Sequence, residues 1–210
     1  MNNTYFITGS STEVGKTVVA AIITEALLAD YWKPIQAGEL ENTDTHKVAR
    51  LISNDKTELL DSAFNLNGFM SPHAAAAIDK VAISAKKIKR PVTKNNLVIE
   101  GAGGLLVPIN NTETIAGLIK PSDKVIVVSR HYLGSINHTL LTIEALKQRK
   151  LNVFGIIFSG DPDPATEQII EKMSGVFILG RIEEEPYFDQ NVVKEYAEKF
   201  KEIVKERLSK

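Results

Sequence analysis

The chain has 210 residues, of which 43% are hydrophobic and 24% are charged. Formal charges nearly cancel, with 25 basic against 26 acidic side chains, so no global field draws the chain to nucleic acid or acidic membranes. The absence of cysteine excludes disulfides, thiolate catalysis and cysteine-based metal sites. We expect one cytoplasmic domain over residues 1–210, because no apolar run is long enough to cross a bilayer and the first residues carry no export signal.

Short apolar runs rich in β-branched residues alternate with helical patterns along the chain. This alternation predicts an α/β fold with a single doubly wound, mostly parallel sheet and helices on both faces. The predicted strands cover residues 5–8, about 31–36, 96–100, 124–129, 153–158 and 176–179. The predicted helices cover residues 15–29, 43–52, 115–119, 135–149, 165–174 and 190–208, with short helices near 74–77 and 84–87. In such sheets, ligands bind beyond the carboxyl ends of the strands.

The segment "TGSSTEVGKT" follows the first predicted strand and opens a helix. A Gly-Lys-Thr at such a junction is typical of nucleotide-binding loops, because backbone N–H groups and the positive helix end point to one place. Lys16 would reach the outer phosphates, and the Thr17 hydroxyl would complete the shell of a magnesium ion. Ser10 stands where the usual first glycine belongs, with Gly9 one place early, so this is not the common form of the motif.

Two carboxylates and a lysine are candidates for the same site. Glu100 ends an apolar strand, where a buried acid needs a partner. Asp44 lies at a predicted helix start, where simple capping is an equal explanation on local sequence. Lys33 lies in the apolar run "DYWKPIQAG" and either extends to the surface or joins Lys16 in neutralising a phosphoryl group.

Six segments, taken in order along the chain, resemble the dethiobiotin synthetase family: "TGSSTEVGKT", "WKPIQAG", "SPHAA", "VIEGAGGLLVPI", "LGSINHTLLT" and "ILGRI". The resemblance covers nearly the whole chain and implies a P-loop NTPase fold. It implies that 7,8-diaminononanoate, carbon dioxide or bicarbonate, and ATP give dethiobiotin, with Mg²⁺, through a carbamate and a carbamic-phosphoric anhydride. It also implies a homodimer, because in this family the "LGSIN" turn serves the neighbouring subunit's site.

The resemblance also assigns roles to residues. Lys33 would orient the carbamate, Lys16 would stabilise the transferring phosphoryl group, and Thr12 would touch both. Mg²⁺ would be held by Thr17, Asp44 and Glu100. The nucleotide would be bound by Glu13, Val14, Gly15, Lys16, Thr17, Val18, Asp44, Glu100, Gly101, Ala102, Gly103, Ser159 and Gly160. The diamine would be bound by Thr12, Lys33, Ala37, Gly134, Ser135, Ile136 and Asn137, with its carboxylate at the helix start.

Two departures from the family pattern affect predicted site residues, and a third is a short link at Ala29 and Asp30 between the first helix and the second strand. Ala37 stands where the family often has a serine or threonine that contacts the substrate. Ser159 and Gly160 stand where the family has an Asn-Asp pair associated with the adenine. An amide matches the adenine edge by donating and accepting with two separate atoms, whereas serine offers a single hydroxyl. We therefore expect weak discrimination between bases, so that other nucleoside triphosphates could replace ATP.

The last predicted helix offers a rival interpretation. A switch ATPase related to plasmid-partition and septum-placement proteins shares this broad fold, and the helix's apolar stripe would then be a membrane anchor. The opposite side of the helix mixes glutamate with lysine, which suits solvent, so we expect the stripe to cover the sheet. The partners expected are therefore small molecules and a second subunit, with no nucleic acid and no membrane.

Overall fold

A computed structural model describes residues 2–209 and builds them around a large parallel sheet. Its strands are β1 Thr4–Gly9, β2 Asp30–Trp32, β3 Ile35–Ala37, β4 Leu59–Leu60, β5 Phe64–Leu66, β6 Leu97–Gly104, β7 Lys124–Arg130, β8 Asn152–Ser159 and β9 Ile178–Ile182. Seven of them form the main sheet in the order β4-β2-β6-β1-β7-β8-β9, and all these pairings are parallel. The strands β3 and β5 form a separate parallel pair.

Helices cover both faces of the main sheet. They are α1 Lys16–Leu27, α2 Asp44–Leu51, α3 Pro72–Ile78, α4 Ser135–Gln148, α5 Pro164–Ser174 and α6 Gln190–Leu208, with 3₁₀ turns at Leu40–Asn42 and Ile115–Leu118. One buried cluster joins α1 and α6 to one face of the sheet, and a second joins α3, α4 and α5 to the other. The predicted doubly wound α/β fold is confirmed.

The apolar stripe of α6 is part of the core. Val193, Tyr196, Phe200 and Val204 are buried in the cluster that contains α1, and α6 also contacts β9. Within residues 2–209, no helix is both long enough and apolar enough to span a membrane. The stripe therefore stabilises the packing of α6 on the domain, as its pattern predicted.

Three local predictions were inaccurate, and two short strands were missed. The strand expected at 31–36 is two strands in different sheets, because Pro34 has no N–H to continue the ladder after Lys33. The helix expected at 84–87 is only a turn over residues 85–87, and the one expected at 115–119 is the 3₁₀ turn. The very short strands β4 and β5 were not predicted, since two or three residues carry no readable alternation.

The sheet brings several loops to one edge. The register pairs Ile7 of β1 with Glu100 of β6 and Gly9 with Gly104, and it pairs Arg130 at the end of β7 with Ser159 at the end of β8. Because all four strands are parallel, the segments that follow them leave on the same side. The nucleotide-type loop, the acid of β6 and the end of β8 are therefore neighbours.

Candidate nucleotide and substrate site

The loop between β1 and α1 turns at two glycines. Gly15 is the N-cap of α1 with φ 88°, a left-handed conformation that favours glycine, and a Cβ there would lie 3.0 Å from Ser159 Oγ. A Cβ on Gly9 would lie 2.5 Å from the Ser11 carbonyl oxygen. The glycine displaced by one place in the sequence is therefore the point where the loop folds back closely on itself.

Lys16 begins α1 and points into the loop. Its side chain is buried, and its Nζ donates to the Ser11 carbonyl at 3.3 Å. Burial, followed by the nearby charge of Lys33, lowers the pKa of Lys16 to about 8. A bound anion would relieve both effects, so the loop is electrostatically prepared for phosphate.

Glu100 lies at the centre of a buried hydrogen-bond cluster. Its Oε1 accepts from Thr17 Oγ1 at 2.9 Å and from Lys33 Nζ at 2.9 Å. Its Oε2 accepts from the Tyr31 hydroxyl at 2.7 Å. Only 1% of Glu100 is exposed, and these three donors offset the cost of burying the acid. Burial, reinforced by Glu100, raises the pKa of Tyr31 well above its usual value, so its hydroxyl stays a donor.

Lys33 connects this cluster to Asp44. Its Nζ lies 2.6 Å from Asp44 Oδ2 and donates to the Gly101 carbonyl at 3.3 Å. Burial would lower the pKa of Lys33, but the carboxylates of Glu100 and Asp44 outweigh burial and raise it. Lys33 is thus a charged group directed at the sheet edge rather than at the surface.

Asp44 opens α2 but is not its cap. The cap is Thr43, whose side chain accepts from the His46 N–H at 3.2 Å. Burial would raise the pKa of Asp44, but its pairing with Lys33 prevails and lowers it. The carboxylate is therefore free of a capping role and is directed at Lys33.

These groups line a cleft of about 610 Å³, a size suited to a small-molecule ligand. Most of the residues predicted for the site lie in its wall: Thr12, Glu13, Gly15, Lys16, Thr17, Val18, Lys33, Ala37, Asp44, Glu100, Ala102 and Gly103. Val14 has its side chain buried in the core, so only its backbone is available there. The Gly101 carbonyl reaches the site through Lys33.

Two predicted groups lie outside this wall. Ser159 lies beside Gly15 of the loop between β1 and α1, and Gly160 follows Ser159 with φ 100°. Gly134 is the N-cap of α4 with φ 101°, Ser135 is buried, and Ile136 and Asn137 are exposed. None of these four residues lines the cleft. One chain alone therefore does not bring the start of α4 into its own cleft.

The structure adds side chains that were not predicted for the site. Lys47 Nζ lies 2.6 Å from Glu39 Oε2 and 3.4 Å from Asp44 Oδ1, and both Lys47 and Glu39 line the cleft. Arg130 also lines it and pairs with Glu184 at 2.8 Å. The sequence could have indicated Lys47 as a site residue, because it follows Asp44 by three residues and so lies on the same face of the helix.

The donor set can be compared with the needs of a magnesium ion. Thr17, Asp44 and Glu100 supply a hydroxyl and two carboxylates, and Mg²⁺ prefers oxygen ligands of this kind beside phosphate oxygens. The Lys33 ammonium lies within 3 Å of the carboxylates of both Asp44 and Glu100, so these two acids already bind one positively charged group. These residues fit the metal.

Comparison with known proteins shows the family of this chain. Residues 3–192 match the family model of an AAA domain. The ATP-dependent dethiobiotin synthetase BioD of Christiangramia forsetii is 64% identical over 201 residues, which are 96% of this chain and 97% of the relative. The chain belongs to the ATP-dependent dethiobiotin synthetase family. The dethiobiotin synthetase of Cytophaga hutchinsonii is 48% identical over 93% of this chain and 95% of its own.

Solved structures place this dethiobiotin synthetase family member in a wider fold group. The septum site-determining protein MinD of Pyrococcus horikoshii, complexed with Mg-ADP, aligns with a TM-score of 0.60 at 14% identity over 98% of this chain and 96% of its own. A ParA family ATPase of Chlorobium tepidum aligns with a TM-score of 0.51 at 13% identity over 97% and 91%. At such identities the likeness shows the fold alone.

Proposed function

We propose that this protein is an ATP-dependent dethiobiotin synthetase, which closes the ureido ring of dethiobiotin from 7,8-diaminononanoate and carbon dioxide. The observation that carries the proposal is the cluster of Lys33, Asp44, Glu100 and Thr17 beside the phosphate loop, in a chain of this family. The cluster combines the charges that a phosphoryl transfer to a carbamate requires.

The reaction is a sequence of three bond changes. The nitrogen of one substrate amine bonds to the carbon of carbon dioxide and loses a proton, which gives a carbamate anion. A carbamate oxygen then bonds to the γ-phosphorus as the bond to the ADP oxygen breaks. The second amine attacks the carbamoyl carbon, loses its proton, and expels phosphate as the ring closes. These steps need positioning and positive charge more than a strong base.

The charged residues of the cleft suit these steps. Lys16 at the start of α1 would stabilise the transferring phosphoryl group, as loop lysines do. Lys33, charged and buried between two acids, would orient the anionic carbamate. Thr12 lines the cleft and would contact both anions.

Thr17, Asp44 and Glu100 would hold Mg²⁺. When bound, the ion neutralises charge on the phosphates and helps to orient them. Lys33 and the ion would share the same two carboxylates, so we expect loading of the site to free the Lys33 ammonium for the carbamate.

Ser159 supports weak selection of the nucleotide base. Its hydroxyl adjoins the loop at Gly15, and it is a single donor-acceptor group. We therefore propose ATP as the co-substrate, with other nucleoside triphosphates accepted as well.

A homodimer is part of the proposal. The start of α4 lies outside the cleft of its own chain, yet it exposes apolar side chains: Leu133 is wholly exposed, and Ile136 and Leu141 are also exposed. Pairing would cover these side chains and would bring the N–H groups of the α4 start to the partner's site, where they suit the substrate carboxylate.

Product analysis tests the proposed function. The protein is incubated with diaminononanoate, bicarbonate, Mg²⁺ and ATP, and dethiobiotin is sought by mass spectrometry, with reactions lacking one component as controls. We expect dethiobiotin and ADP to form together. ATP hydrolysis without dethiobiotin, stimulated instead by lipid vesicles, would favour the switch ATPase.

A further inference from the structure

Tyr31 contacts the candidate site from the buried interior of the domain. It lies on β2, wholly buried, and its hydroxyl donates to Glu100 Oε2 at 2.7 Å. The register pairs Tyr31 with Val98 of β6, and Glu100 follows Val98 by two residues. Residues two apart on a strand share a face, so Tyr31 and Glu100 both point toward the side covered by α1, where Thr17 lies.

The two oxygens of Glu100 have different surroundings. Oε1 accepts from Thr17 and Lys33, and both of these residues line the cleft. Oε2 accepts from Tyr31, which is buried behind Glu100. In the proposed reaction, Thr17 and Lys33 gain ligands of their own, so their bonds to Oε1 are exchanged during turnover. The hydroxyl of Tyr31 lies away from those ligands and retains its acceptor.

We infer that Tyr31 is a positioning residue: by holding Oε2, it fixes the orientation of Glu100 so that Oε1 faces Thr17 and the cation that the site binds. This inference rests on the proposed function, and it assigns Tyr31 no contact with substrate or metal. Partners of metal-ligating carboxylates in general orient the ligand and raise metal affinity.

The test compares Tyr31→Phe with Tyr5→Phe. Tyr5 is a matched control, because it is a fully buried tyrosine whose ring packs edge-on against Phe154 in the same core cluster. Mn²⁺ replaces Mg²⁺ as the probe, and free Mn²⁺ is measured by electron paramagnetic resonance with the protein and a slowly hydrolysed ATP analogue. Binding of the ATP analogue without metal is measured separately in the presence of a chelator. Thermal unfolding is used to show that each variant is folded.

We expect Tyr31→Phe to bind Mn²⁺ about tenfold more weakly, the lower end of the range for such partners, with metal-free analogue binding unchanged. Turnover should recover at high Mg²⁺, so the apparent Mg²⁺ constant rises while kcat is retained. Tyr5→Phe should match the wild type in both respects.

Equal Mn²⁺ affinity in Tyr31→Phe and wild type would overturn the positioning role and leave the proposed function intact. A wild type that binds no Mn²⁺ with the analogue would instead contradict the metal-dependent reaction itself. Equal weakening in Tyr31→Phe and Tyr5→Phe would also overturn the inference, because a general loosening of the core would then explain both.

Discussion

Replacing Lys33 with alanine is the most informative single perturbation of the site. Lys33 Nζ lies 2.6 Å from Asp44 and 2.9 Å from Glu100, and its side chain is nearly buried. Removing one member of a buried ion pair typically costs about 3–5 kcal/mol, because the remaining charge is left uncompensated. We expect a loss of unfolding free energy of this order in Lys33→Ala, measured by urea denaturation without ligands.

The same change separates binding from turnover. Losing one group that stabilises charge in the transition state typically lowers kcat by about a hundredfold to a thousandfold. Lys16 and the loop backbone remain, so we expect nucleotide affinity, measured by calorimetry, to change little. Lys194→Ala is the matched control, because Lys194 is an exposed lysine on α6.

The pH dependence of the stability difference gives a further check. Asp44 has its pKa lowered from 3.8, and Lys33 has its pKa raised from 10.5. The pair therefore contributes to the free energy of unfolding between pH 3.8 and pH 10.5. This contribution is lost at lower pH as Asp44 becomes protonated, and it is lost at higher pH as Lys33 becomes deprotonated. Equal losses of turnover and nucleotide binding in Lys33→Ala, or a stability difference that persists in strong acid, would refute this reasoning.

Three other perturbations test separate parts of the site. Because the pKa of Lys16 falls from 10.5 to about 8, the ligand-free protein should gain stability as pH rises between these values, by about 1.4 kcal/mol per pH unit, and Lys16→Met should remove this slope in urea denaturation. Initial rates with ATP, GTP and CTP should differ by no more than about tenfold, roughly the worth of one hydrogen bond at Ser159, and a strong preference for ATP would contradict this. Leu133→Glu should give monomers in sedimentation analysis and lower turnover, whereas an unchanged dimer would argue against an interface at the start of α4.

Much of the architecture was predictable because its signals are local. The strand–loop–helix around Lys16 and the acid at the end of β6 are carried by short contiguous segments. The rule that parallel strands end at one edge then brings these segments together without further information. In the structure, Ser159 at the end of β8 lies beside Gly15 of the loop, as expected for parallel strands that end at one edge.

The rest depends on contacts between distant parts of the chain. Whether Lys33 points to the surface or to the site is decided by Glu100, 67 residues away, and by Asp44. The bond from Tyr31 to Glu100 depends on the register of β2 with β6, which no local pattern fixes. Pro34 marks locally where the predicted strand divides, but the partner of its second half, β5, is a strand too short to be recognised from the sequence.

In the proposed reaction, carbon dioxide becomes the ureido carbon of dethiobiotin while ATP is converted to ADP. The most direct measurement supplies bicarbonate enriched in heavy carbon, together with diaminononanoate, Mg²⁺ and ATP, and analyses the product by mass spectrometry. We expect dethiobiotin carrying one heavy carbon per molecule, with ADP released in equal amount. Release of ADP with no labelled dethiobiotin would contradict the proposed reaction.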